Sequence, residues 1–155
     1  MIKRKGRRKP NPKLIMAGDP ILETVCSDVK PGDDIAHIIK DMMYLLVNSK
    51  NGVGIAAPQA GYSKRIIIIR EDVGGFLILI NPTIERLSEK EIIYEEGCLS
   101  YPKIFKEISR PKSIILEWVN IQLVGKGCLF EGREARIIQH ELDHLDGKCK
   151  MRMDI

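Results

Sequence analysis

Two of the three histidines in this 155-residue chain stand four positions apart, at His140 and His144, and Glu141 directly follows the first. The pattern around them predicts a helix from about Glu131 to Asp146, with Gly147 placed to cap its C-terminus. On a helix, positions i and i+4 project from one face about a turn apart. Two imidazoles so spaced can reach one tetrahedral metal ion. Glu141, rotated by about 100° from His140, falls beside such an ion. There it can act as a base toward a water without occupying a coordination position.

The third ligand decides the class of site. Eleven residues follow His144, and they hold no histidine and no glutamate. Asp146 and Asp154 are the only carboxylates there, and Asp146 is too near in sequence to close the site easily. Cys149 lies just past the Gly147 cap between Lys148 and Lys150, which reads as a hydrophobic or exposed thiol. The remaining ligand is therefore expected upstream. Cys98 is the best candidate, because it follows a predicted strand and its neighbour Gly97 lets the backbone approach closely. A thiolate suits zinc or ferrous iron. Cys128 falls a finger-like distance before the histidines, but no second cysteine lies a few residues before it. It is read as a core thiol, and His37 as structural or solvent-exposed.

Composition places this helix in an ordinary globular chain. Hydrophobic residues make up 44% and charged residues 30%, a globular balance rather than a disordered or membrane one. No apolar run approaches the length needed to span a bilayer, and the longest, at 66–69 and 76–80, read as buried strands. The net charge of +4 is unevenly placed: residues 1–13 carry seven basic side chains and no acid, so the remainder is slightly acidic. That segment, with Gly6, Pro10 and Pro12, reads as a disordered basic tail, either a solvated extension or an electrostatic contact to RNA or another polyanion. It has no apolar stretch of the secretory kind. Four cysteines without a CxxC pair imply reduced thiols in a cytosol-like compartment.

The rest of the pattern outlines one domain over 14–155. From Asp33 to Lys50, apolar residues at Ile35, Ile38, Ile39, Met42, Leu45 and Leu46 follow the helical period. A glycine-rich loop is expected at 51–61, and strands at 65–70 and 76–80 joined as a hairpin. Further strands are expected at 89–95, 112–119 and 121–124. The predicted class is α+β, with mixed or antiparallel sheets around the central histidine helix and an amphipathic helix near the N-terminus.

Three segments together resemble peptide deformylases: Gly52-Val-Gly-Ile-Ala-Ala-Pro-Gln59, Glu96-Gly-Cys-Leu-Ser100 and Gln139-His-Glu-Leu-Asp-His-Leu-Asp-Gly147. Their order and separation are similar to that family from about Leu14 to Met151. The resemblance implies Cys98, His140 and His144 as metal ligands and Glu141 as general acid/base. It implies that the Gln59 side chain and the Leu99 backbone N–H stabilise the oxyanion. It further implies release of formate from the formylmethionine of nascent chains, by attack of a metal-activated water. The metal is expected to be Fe2+, with Zn2+, Ni2+ or Co2+ able to take its place. Gly54 and Ile55 match positions whose backbone pairs with the extended peptide. Gly97 flanks the same subsite, and Ile55 and Ile137 are candidates for the methionine pocket or for simple core packing.

Two departures from the family pattern stand out. Phe105 occupies a position where many members carry arginine, and the chain resembles short forms that lack a C-terminal extension. The expected setting is a monomer in the cytoplasm of a bacterial or virus-infected bacterial cell rather than an organelle, with a weak ribosome contact through the basic tail. Against this stand two other classes: a metallopeptidase, for which the downstream ligand is missing, and a structural metal site, which leaves Glu141 and Gln59 without a role.

Overall fold

Residues 11–153 are described by a computed structural model. The first ten residues of the expected basic tail lie outside them. After a short 3-10 turn at Pro20–Glu23, helix α1 (Ala36–Val47) buries Ile38, Met42 and Leu46, the stripe that the helical period predicted. Strands β1 (Gly54–Ala56), β2 (Ile66–Arg70) and β3 (Phe76–Leu87) follow. The chain then forms a separate antiparallel hairpin, β4 (Glu91–Cys98) and β5 (Tyr101–Pro111). It returns through β6 (Ser113–Val119) and β7 (Gly125–Glu131) and ends in helix α2 (Gly132–Leu145). The larger sheet is antiparallel, in the order β1-β2-β3-β6-β7.

The alternation of β2 explains the layering. Side chains along a strand point to opposite faces in turn, and Ile66 to Ile69 are all fully buried. Ile66 and Ile68 join the α1 side with Met42 and Leu46. Ile67 and Ile69 join the other side with Ile137, Ile138, Leu142 and Leu145 of α2. On its far side α2 is gripped by the β4–β5 hairpin through Arg110 and Glu96. The histidine helix is thus central, as expected.

Gly147 closes α2 with φ 68°. Its N–H donates to His144 C=O at 3.2 Å, and the Lys148 N–H to Asp143 C=O at 2.8 Å. A Cβ there would fall 2.6–2.9 Å from the Glu23–Thr24 backbone, so only glycine fits this close approach.

Three local expectations are corrected. The loop at 51–61 contains β1, which is only three residues long. Residues 121–124 form a turn rather than a strand: the Asn120 side chain accepts the N–H groups of Gln122 and Val124, and Leu123 is left-handed at φ 62°. Cys128 is exposed rather than a core thiol. It sits on β7, an edge strand of which only Phe130 is buried. No helix among the described residues is long and apolar enough to cross a membrane.

Candidate active site

Three elements bring the site together. Helix α2 presents His140, Glu141 and His144, all buried. The end of β4 presents Cys98, which pairs with Tyr101 where β5 carries the extra residues of a register shift. The 3-10 turn Ala57–Ala60 following β1 presents Gln59. Cys98 Sγ lies 3.1 Å from His144 Nε2. The candidate ligand atoms of Cys98, His140, His144 and Cys149 all lie within 4.8 Å of one another.

His140 is held from behind. Its Nδ1 lies 3.0 Å from Glu96 Oε1; an ionised carboxylate only accepts, so Nδ1 carries the proton and Nε2 keeps its lone pair for the site. Glu96 also accepts from Arg110 Nε at 2.6 Å, from Arg110 Nη2 at 2.9 Å and from Arg136 Nη1. Arg110 in turn donates to Asp143 Oδ2 at 2.9 Å. Burial alone would raise the Glu96 carboxyl. The hydrogen bonds from His140 and Arg110 and the Arg110 charge override it and hold Glu96 at about 2.

Glu141 has the opposite surroundings. Burial pushes its carboxyl above the usual range, against the pull of His140 and His144. Its Oε2 is buried with no hydrogen-bond partner among the described residues, as is His144 Nδ1. Between the two thiols, a shared hydrogen bond holds Cys149 below the ordinary thiol range and Cys98 above it.

The Gln59 amide is fixed at both ends. Its Oε1 accepts the Ala56 N–H at 2.9 Å. Its Nε2 donates to Ser100 Oγ at 3.1 Å and lies 3.6 Å from Cys98 Sγ. Ser100 Oγ in turn donates a hydrogen bond to Ile15 C=O at 2.7 Å. One amide hydrogen thus goes to Ser100 and the other is turned toward Cys98 Sγ.

Beside Cys98 lies a cleft of about 500 Å3, with Gly54, Gln59, Cys98, Leu99, Ile137 and Glu141 on its walls and Tyr94 and Phe105 at its rim. Gly54 packs directly on α2: a Cβ there would fall 2.8 Å from Ile137 Cγ2 and 3.1 Å from Glu141 Oε1. The Phe105 ring covers Gly97, where a Cβ would meet it at 3.0 Å. Of the substrate-binding residues expected here, only Ile55 turns away. Its side chain is fully buried on the α1 side, because Gly54 and Ile55 face opposite ways along β1.

Two contributors were not legible as such. Glu96 was visible only as part of a motif, though two positions before Cys98 it shares that residue's face of β4. Arg110 gave no signal, since it reaches Glu96 only through the β4–β5 pairing. Cys149 takes the first of the two readings offered for it, a thiol in a hydrophobic cluster, with Cys98 packed against that cluster.

The donor set, thiol and imidazole, suits a transition-metal ion, and the orphaned Glu141 oxygen beside it suits a site that works on a polar group. The family model described as polypeptide deformylase matches residues 12–153. The chain belongs to the peptide deformylase family. A peptide deformylase of Rhizobium meliloti is 37% identical over 139 residues, covering 86% of this chain and 79% of that protein. The peptide deformylase structure from Thermotoga maritima superposes with a TM-score of 0.82 at 37% identity, over 90% of this chain and 94% of that one. The class I type b peptide deformylase of Acinetobacter baumannii, with Met-Ala-Ser bound, gives 0.81 at 29% identity, over 90% and 96%. As a peptide deformylase, the chain is a metal-dependent hydrolase that removes the formyl group from the N-terminal formylmethionine of nascent polypeptides.

Proposed function

We propose that Cys98, His140 and His144 hold the metal ion, that Glu141 moves the protons, and that Gln59 Nε2 and the Leu99 N–H meet the negative charge on the formyl oxygen. The observation that carries this is the convergence of Gln59, Cys98, His140 and Glu141 on one cleft. When bound, the ion supplies Lewis-acid chemistry, lowering the pKa of a water held there and polarising the formyl carbonyl.

Glu141 takes a proton from the water as its oxygen adds to the formyl carbon. Its buried carboxyl, already pushed upward, then holds that proton close to the leaving nitrogen. The C–N bond breaks as Glu141 protonates the amine, and formate and the free peptide N-terminus result. Gln59 needs no reorganisation to serve, because Ala56 and Ser100 fix its amide beforehand. One such donor is typically worth roughly 3 kcal/mol.

The substrate is read as an extended peptide added to the open edge of β1, which pairs only with β2 among the described strands. The Met-Ala-Ser bound to the Acinetobacter baumannii relative supports a methionyl peptide as the occupant. Gly54 provides the close approach, and Gly97 and Ile137 flank the side chains. Ile55 enters only through its backbone. Fe2+ is the proposed ion, with Zn2+, Ni2+ or Co2+ as substitutes. We also propose residues 14–155 as a single catalytic domain, a cytoplasmic monomer, and a weak ribosome contact through basic residues 1–13. The contact is tested by deleting residues 1–12: unchanged co-sedimentation with ribosomes at low salt removes it.

Formate release from formyl-Met-Ala-Ser tests the assignment of roles. Glu141→Gln is expected to retain the ion and lose nearly all turnover, whereas Cys98→Ala loses the ion. Turnover surviving in Glu141→Gln removes the proposed general base.

A further inference from the structure

Arg70, the half-buried last residue of β2, does not line the cleft, yet it is bonded to a segment that does. Its Nε donates to the Gly52 C=O at 2.8 Å and its Nη2 to the Leu46 C=O at 3.1 Å. Its backbone N–H donates to the Val53 C=O at 2.8 Å. The guanidinium lies over the Phe76 ring, 5.1 Å from the centroid, and this stacking fixes the plane of the fork. One side chain thus joins the end of α1 to the crossing that leads into β1.

That crossing forms a wall of the cleft, through Asn51, Gly52, Val53 and Gly54. Residues 49–53 belong to neither helix nor strand, so tethers from elsewhere decide where they stand. The Leu46 carbonyl also accepts from Ser49 Oγ at 2.7 Å, at the helix end where a cation is favoured. Gly52 is pressed between that hydroxyl and the opposite wall: a Cβ there would collide with Ser49 Oγ and fall 3.1 Å from Leu99 Cδ1. The position of Gly52 therefore sets how closely the two walls approach.

From these contacts, we infer that Arg70 is a positioning residue for the substrate, holding the 51–53 rim in place for the part of the peptide beyond methionine. The inference rests on the reading of this cleft as the substrate's site, with the peptide laid along β1. The chain runs from the rim through Gly54 to Gln59, whose amide serves the formyl end. The rim is thus at the other end of that edge, where the residues after methionine pass. Fixing it in advance removes an ordering cost from binding. A lysine at this place has a single compact ammonium and no fork to span both carbonyls.

The test uses the full-length, metal-loaded protein beside Arg70→Met and Arg70→Lys. Formate release is measured from formyl-Met-Ala-Ser and from formyl-Met amide, which stops short of the rim. Arg70→Met is expected to lose about tenfold in kcat/KM on the tripeptide, chiefly through KM, and to stay within about twofold on the amide. Arg70→Lys is expected to fall between wild type and Arg70→Met on the tripeptide. Tryptic cleavage after the exposed Lys50, in the same crossing, is expected to be at least about tenfold faster in Arg70→Met. A general loss of stability would lower turnover of both substrates alike. Equal losses on the two substrates, no loss on the tripeptide, or unchanged cleavage after Lys50 overturns the inference. Should Arg70→Met not fold, Arg70→Lys carries the same comparison. Formate from neither substrate with the wild type counts against the deformylase reading itself, and cleavage after Lys50 then decides the tether on its own.

Discussion

Glu96 holds the imidazole of His140 from behind, Oε1 to Nδ1 at 3.0 Å, while two guanidinium groups hold Glu96. The carboxylate thus sets the tautomer and ring angle of a residue that it places but does not replace. Glu96→Gln keeps the shape and removes the charge, leaving the buried Arg110 paired only with Asp143. Losing one partner of a buried ion pair costs about 3–5 kcal/mol. A urea midpoint lower by an amount at the small end of that range is expected, together with metal affinity about 10- to 100-fold weaker in chelator competition. Unchanged metal retention would show that His140 is oriented by packing alone.

The same carboxylate predicts acid sensitivity. Burial disfavours its charge, but His140 and Arg110 hold it at about 2, against an ordinary 4.5. Its folded value lies below its unfolded one, so its stabilisation is complete above about pH 4.5 and is lost as pH falls toward 2. In metal-free protein, the stability gap between wild type and Glu96→Gln should therefore stay near constant from pH 6 to about pH 5 and narrow from about pH 4.5 down to pH 3 in urea titrations. A gap constant over that window would mean that Glu96 is not the titrating group.

Gly54 provides a steric prediction. Gly54→Ala puts a Cβ at 2.8 Å from Ile137 Cγ2 and 3.1 Å from Glu141 Oε1, and a β-branched side chain on a packed helix yields little. Overpacking of this kind costs typically 1–3 kcal/mol. Because the strain falls on Glu141, kcat for formyl-Met-Ala-Ser should drop by more than tenfold while the protein remains folded by circular dichroism. Full activity with a lowered melting temperature would mean that α2 shifts without moving the carboxylate.

The legible parts of this molecule were those encoded locally. The helical period of α1, the isoleucine run of β2 and the spacing of His140 and His144 each describe a single element, and each appears where expected. β5 and β7 were not legible, because Pro102 and Pro111 bound one and Gly125 and Gly127 weaken the other; tertiary pairing overrides both signals. The partners of the site were hidden for a related reason. Arg110 meets Glu96 across a hairpin and Ser100 meets Gln59 across 41 residues, so neither pairing leaves a spacing to read. Cys149 looked peripheral between two lysines, yet the turn at Gly147 directs it inward.

Ser100 gives the last prediction, because it touches Gln59 without facing the reaction itself. Its Oγ accepts from Gln59 Nε2 at 3.1 Å and donates to Ile15 C=O at 2.7 Å, so Ser100→Ala has two effects that must be told apart. The lost bond to Ile15 is worth about 1 kcal/mol of stability, visible as a lower melting temperature and independent of turnover. The freed amide lowers kcat, by less than the 10²- to 10³-fold expected for losing the donor itself in Gln59→Leu. If Ser100 acts on catalysis only by aiming Gln59, the double variant has the kcat of Gln59→Leu alone, a coupling that a double-mutant cycle reads directly. Multiplicative losses in kcat would instead assign Ser100 an effect of its own on the reacting oxygen, and the fixed-amide account of Gln59 would fall.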